Sequence, residues 1–262
     1  MSRTRTRSAL FTDTFGSPDR LLQDVNEELD VEGSLLDAEA VAAALVAMTD
    51  GLHVLEPSMS TPRHVESVLV HDLIPGLAAS FSSFAAPVLL ALGDLLGGRV
   101  RTAATKAAIR MLATGHVLPV WAADLAAPVV AHDCYRVVDA DGSQVELGGC
   151  FERAGRSWLV CATIDEEFGE IDGVDCLPDR PAAYLAGRFH SRQRYQERYV
   201  AKEDIGPAEF RRRVLAAIVP LTRPELDPYV FRRPDDEDLL GGPDGETECV
   251  RLRSWVSKCD TA

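Results

Sequence analysis

Six carboxylates and no basic residue occupy the stretch from Asp165 to Asp175, DEEFGEIDGVD, directly after the apolar run WLVCATI. Carboxylates gathered at the end of a buried strand can hold Mg²⁺ or Ca²⁺, because hard cations take several oxygens at one point. Asp165, Glu167 and Glu170 are the ligands that such a site would use. Their spacing does not fit the calcium loop D-x-[DN]-x-[DN]-G-x5-E. A solvated turn that keeps a sheet edge from pairing is the simpler account of the same residues.

A basic run follows. Arg188, His190, Arg192, Arg194 and Arg198 are interleaved with Phe189 and Tyr195, and Arg211, Arg212 and Arg213 lie further on. From Gly187 to Arg223, nine Lys and Arg stand against four acids on a chain of net charge −14. Arginines with aromatics between them suit phosphates and unpaired bases, through forked hydrogen bonds and stacking. Pairing with the acids that flank the run accounts for the same charges and is the favoured expectation.

Two His-Asp pairs complete the inventory. His64 and His71 are seven apart and share one helix face, and His71-Asp72 invites comparison with metal-dependent phosphohydrolases. Such sites also need a distant upstream His and a later Asp in register, which cannot be assigned, so His71 reads as a helix-surface residue. His132-Asp133 falls just before the first expected strand and carries no more weight.

The common catalytic frameworks are missing. No G-x-G-x-x-G follows a strand and no G-x-x-x-x-G-K-[ST] exists, so dinucleotide and P-loop sites lack their phosphate cradle. H-E-x-x-H, H-x-E with P-C-x-x-C, the G-x-S-x-G elbow and the kinase signatures are absent as well.

Two kinds of architecture carry these residues. Residues 17–128 read as a helical bundle. Ser17-Pro18-Asp19 starts a helix carrying Leu21, Leu22, Val25 and Leu29, and Asp37 caps a second from Ala38 to Met48. Thr61-Pro62 opens a third, disturbed at Pro75-Gly76. Pro87 to Leu96 and Arg99 to Thr114 complete the bundle, separated by Gly97-Gly98.

Residues 129–222 read as an antiparallel sheet plus a helix. Cys134 to Val138, Gln144 to Phe151 and Trp158 to Ile164 make a three-stranded meander. Its turns are Asp139-Ala140-Asp141-Gly142 and Ala154-Gly155, with a bulge expected at Gly148-Gly149. WLVCATI is apolar on both faces and should be covered from two sides. Asp165 to Asp179 is expected as an acidic turn region, Pro181 to Phe189 as a short helix, and Tyr195 to Val200 as a fourth strand. Ala208 to Val219 is the helix that backs the sheet. Residues 223–262 form a Pro-rich segment and an acidic loop, Asp235 to Glu248, ending in a short helix over Val250 to Lys258. Residues 1–16 read as a disordered basic arm. The fold class is therefore α+β.

Composition bounds the rest. A hydrophobic share of 46% and a charged share of 26% are those of an ordinary globular chain, and a net charge of −14 argues against a nucleic-acid coat or a protein resting on anionic lipid. Only Lys106, Lys202 and Lys258 are lysines, which together with the Ala-rich helices suggests the coding bias of a GC-rich bacterial genome. The six cysteines form no C-x-x-C pair, MSRTRTRS is followed by no apolar signal core, and the run Phe84 to Leu92 is too short to cross a bilayer. Reduced thiols in the cytoplasm are expected. The functional expectation is a soluble, non-catalytic binding or regulatory protein, without a cofactor. It would recognise a protein or phosphate-bearing partner, or another copy of itself, through segregated charges on the sheet domain. The alternative is a metal-assisted hydrolase of anionic phosphoesters that uses a divalent cation such as Mg²⁺.

Overall fold

The computed structural model describes residues 35–55, 62–80, 82–139, 141–178, 202–218 and 243–259. The expected basic arm, the helix after Ser17, the helix from Pro181, the strand from Tyr195 and the Pro-rich segment from Pro220 lie outside them. Among the described residues are seven α-helices and a five-stranded antiparallel sheet, an α+β fold. The chain divides into two compact units, one within Met1–Leu125 with Leu221–Pro234, the other within Ala126–Pro220 with Asp235–Ala262.

In the first unit, α1 runs from Leu35 to Leu55. Leu35, Ala38, Val41, Ala42, Leu45 and Val46 are buried, and so is the carboxylate residue Glu39. Residues 41–47 are buried on every side, and the helix starts ahead of the cap expected at Asp37 and outruns Met48. It packs on α4, Ala85–Leu96.

The third expected helix is α2, Pro62–Val68, followed by a π turn over Leu69–Leu73 and by α3, Ile74–Ala79. Pro75 has no N–H to donate, and the π turn is the adjustment. The Ile74 N–H donates to the Leu69 carbonyl, five residues back, immediately before the proline. His71 is exposed on this turn beside a half-buried Asp72. Helix α5, Gly98–Ala113, leaves α4 through Gly97 alone, whose φ of +70° only glycine adopts freely. Gly93 lets the two helices approach closely, because a Cβ there would lie 3.2 Å from the Arg101 Cα.

The second unit is built on a sheet of order β4-β3-β2-β1-β5. Its strands are β1 Val130–Val138, β2 Gln144–Arg153, β3 Arg156–Asp165, β4 Glu170–Pro178 and β5 Glu203–Asp204. The acidic region after β3 is therefore largely a strand rather than a turn. Ile171, Val174 and Cys176 pair with Ile164, Ala162 and Val160, so its apolar residues extend the sheet across β3. Strand β1 also starts earlier than expected, which brings His132 and Asp133 into the sheet.

Two helices, α6 (Pro207–Ala217) and α7 (Pro243–Lys258), pack on the sheet and on each other. Helix α7 begins inside the expected acidic loop, with Pro243 supplying the fixed φ of a first helical residue. The contact that seats both helices is aromatic. Phe151 and Trp158, paired across β2 and β3, lie nearly parallel with ring centres 6.3 Å apart. Trp255 of α7 comes within 5.0 Å of Trp158, and Phe210 of α6 within 5.8 Å of Phe151. Each such pair adds about 0.5–1.5 kcal/mol beyond the area it buries.

The opposite face carries a second buried cluster of Tyr135, Val137, Cys150, Leu159 and Cys161, so β3 is buried on both sides. Tyr135 lies across its cross-strand partner Gly148, where a Cβ would overlap the ring. Its hydroxyl donates to Glu146 Oε1 at 3.1 Å and lies 3.3 Å from Cys161 Sγ, and burial holds the phenol far above its usual range. Gly148-Gly149 is thus a platform for the ring and not a bulge. The irregularity in this hairpin lies opposite, in β1, between His132 and Tyr135.

The two glycines give a matched test. Gly148→Ala must displace the Tyr135 ring and is expected to cost about 1–3 kcal/mol, the usual range for overpacking. A Cβ at Gly149 meets the Cys134 Sγ at 3.1 Å and otherwise only ordinary contacts, so Gly149→Ala should cost less. Thermal melting of both variants checks this, and equal losses would show that Tyr135 is not seated as described.

Candidate functional site

The β1–β2 and β3–β4 turns sit at the same end of the sheet, because alternate turns of a meander always do. A hydrogen bond joins them, from the Glu166 N–H to the Ser143 carbonyl at 2.9 Å. Side chains fix both loops. Asp139 accepts from the Gln144 N–H at 3.0 Å and from the Ser143 hydroxyl at 2.9 Å. Asp141 accepts from the Ser143 N–H at 3.0 Å, and that bond holds its carboxyl below the usual range. Asp165 Oδ1 accepts from the N–H groups of Glu167 and Phe168, at 2.8 and 3.1 Å.

The product is a pinned acidic rim of Asp139, Asp141, Asp165, Glu166, Glu167 and Glu170, with Phe168 at its tip 70% exposed. Asp165 and Glu170 stand directly opposite each other across the strands. Two like charges so placed are destabilising. Glu166, Glu167, Glu170 and Asp172 enter no ion pair among the described residues. Asp139 and Asp141 lie far upstream of Asp165, with β2 and β3 between them in the chain, and the β2–β3 register that pairs Gln144 with Asp165 brings the two turns together. Their D-A-D-G sequence signals a turn and nothing of its neighbours.

The expected metal ligands Asp165, Glu167 and Glu170 are neighbours here, but they do not converge. Among the described residues, their oxygens form no group close enough to share an ion, and Asp165 is committed to holding its turn. Arg188, His190, Arg192, Arg194 and Arg198 lie outside the described residues. The downstream arginines are engaged locally. Arg212 and Arg213 both bond Glu209, at 2.7 and 2.6 Å, and Arg211 donates to the Cys259 carbonyl at 3.2 Å.

A second constellation sits at the β1 irregularity. Asp133 has a φ of +49°, in the left-handed region that non-glycine residues rarely adopt. The turn sets its carboxylate against the ring of its neighbour, with Asp133 Oδ2 2.9 Å from His132 Nδ1. His132 is the cross-strand partner of Cys150. One donor atom from each of His132, Asp133 and Cys150 lies within 4.8 Å of the other two. Burial, then the Asp133 charge, pushes the Cys150 thiol up, against a smaller opposing effect of Lys202. Cys134 is pushed up to about 12, mainly by burial. No disulfide joins the six cysteines. The His132-Asp133 pair is visible in the sequence, whereas Cys150 as its companion is not, because the register that unites them is not written locally.

No described helix is long and apolar enough to cross a membrane. The Glu209 ion pairs give a pH test. Hydrogen bonds from Arg212 and Arg213 lower the Glu209 carboxyl from its ordinary 4.5 to about 2. A carboxyl depressed in the folded state stabilises above its unfolded pKa, and that contribution is lost as pH falls from 4.5 towards 2. Melting temperatures of Glu209→Gln and the parent should therefore converge across that window, and a constant gap would refute the pairing.

Comparison with protein-family models, with curated proteins and with solved structures finds no match to this chain.

Proposed function

We propose that the protein is a non-catalytic recognition protein that binds a basic protein partner through the acidic rim of its sheet unit. The carrying observation is Phe168, an aromatic side chain 70% exposed at the tip of a hairpin whose backbone is pinned by Asp165. An exposed aromatic on a pinned turn loses little conformational freedom on docking, and aromatic anchors dominate the energetics of many interfaces. The carboxylates around it supply a rim of one sign, which steers a cationic surface towards the anchor and rejects anionic ones.

The like-charge pair of Asp165 and Glu170 supports the same reading. It costs stability in the isolated protein, and a cationic partner relieves it. A phosphoester hydrolase draws no support from Asp165, Glu167 and Glu170, which among the described residues form no group close enough to share an ion.

Binding of the full-length protein to an array of Lys- and Arg-rich peptides bearing one large aliphatic residue tests the proposal. Affinity should fall steeply with added salt. Phe168→Ala should lose about 2 kcal/mol or more, roughly thirtyfold, as an interface anchor does. Glu170→Lys separates binding from stability. It replaces a like-charge pair by an opposite one and should stabilise the sheet by about 0.2–1 kcal/mol, while weakening peptide binding. Affinity unchanged in both variants would overturn the proposal.

A further inference from the structure

The His132–Tyr135 irregularity is independent of the acidic rim and has a chemistry of its own. Three different donors meet there: an imidazole nitrogen, a carboxylate oxygen and a thiol sulfur, all within 4.8 Å of one another. Tetrahedral coordination at ordinary Zn–N, Zn–O and Zn–S lengths places donors about 3.3–3.7 Å apart. The His132–Asp133 pair, 2.9 Å apart, therefore needs to open by about half an ångström, and any donor at the outer limit of 4.8 Å needs to close by roughly one. We propose that His132, Asp133 and Cys150 form a binding site for a transition-metal ion of the Zn²⁺ class.

Three features select that ligand. The donor set mixes sulfur, nitrogen and oxygen, which favours borderline ions over Mg²⁺ or Ca²⁺, whose partners are oxygens. The left-handed backbone at Asp133 is a strained conformation for a residue with a side chain, and it sets the carboxylate against its neighbour's ring. Access is open on one side only: Cys150 is 3% exposed, whereas the side chains of His132 and Asp133 are 44% and 76% exposed. An ion entering from solvent meets the imidazole and the carboxylate first and the sulfur at the base of the site. A fourth position then faces water.

On binding, the Cys150 thiol releases its proton to solvent and coordinates as the thiolate. His132 coordinates through Nδ1 as the neutral imidazole with its one proton on Nε2; a second proton, where the ring is charged beforehand, goes to solvent, and the ion takes the place of the hydrogen bond between His132 Nδ1 and Asp133 Oδ2. A cysteine nucleophile activated by His132 is the rival use of these residues. The 3% exposure of Cys150 leaves no room for a substrate to reach its sulfur.

The test uses the full-length protein, stripped with chelator and titrated with Co²⁺ and then Zn²⁺. One Co²⁺ per chain should produce a thiolate-to-cobalt charge-transfer band, and Zn²⁺ should displace it. Zn²⁺ at about a hundredfold excess over Kd should raise the melting temperature by roughly 5 °C or more. Cys150→Ser should abolish the band. His132→Gln and Asp133→Asn, at partly exposed positions, should each weaken binding about tenfold or more while leaving the melting temperature of the metal-free protein nearly unchanged. Cys249→Ser, at a half-exposed cysteine outside the site, should leave stoichiometry and affinity unchanged. No band at stoichiometric Co²⁺, a band that survives Cys150→Ser, or undiminished affinity in both His132→Gln and Asp133→Asn would overturn the site. Should Cys150→Ser fail to fold, the other two variants decide.

Discussion

Closure of the sheet unit depends on the stacked contact between Phe151 and Trp158. These rings occupy paired positions on adjacent strands, so the register of the β2–β3 hairpin alone brings them together. They then form the surface on which Phe210 and Trp255 rest, from helices α6 and α7. Trp158 and Trp255 are wholly buried, and rings of that size contribute more to a core than any aliphatic neighbour.

The same hairpin register has a second consequence on the other face. Gly148 lies beneath Tyr135, and the absence of a Cβ lets the ring settle with its hydroxyl between Glu146 and Cys161. A buried phenol needs such partners, since leaving its polar atom unsatisfied is costly. Just ahead of Tyr135, β1 shifts register, and Asp133 takes up the extra length in a left-handed conformation. The proposed metal site thus arises where a tightly packed strand meets an irregular one.

Charge is organised differently. Asp139, Asp141 and Asp165 are fixed by backbone N–H groups and by Ser143, and among the described residues no cation pairs with them. Hydrogen bonds of this kind favour the ionised form and leave the net charge in place. Arg212 and Arg213 are satisfied by Glu209 within their own helix and so do not neutralise the rim. Among the described residues the carboxylates around Phe168 keep their negative charge without a cationic partner, and the proposed recognition draws on that charge.

The α+β class, the strands from Cys134 to Ile164, the Ala154-Gly155 turn and helix α6 are all legible in the chain itself. Each follows local rules of alternation, turn chemistry and helix start, acting over a few residues. Features that depend on distant partners are not. Glu170–Pro178 looks like a loop by its charge, yet it is a strand, because its alternate apolar residues have β3 to pair with. Gly148-Gly149 looks like a bulge until Tyr135 is seen lying over it. Likewise, the union of Asp139 and Asp141 with Asp165, and of His132 and Asp133 with Cys150, follows from strand register. Register is a property of two segments at once, and no single stretch of chain encodes it.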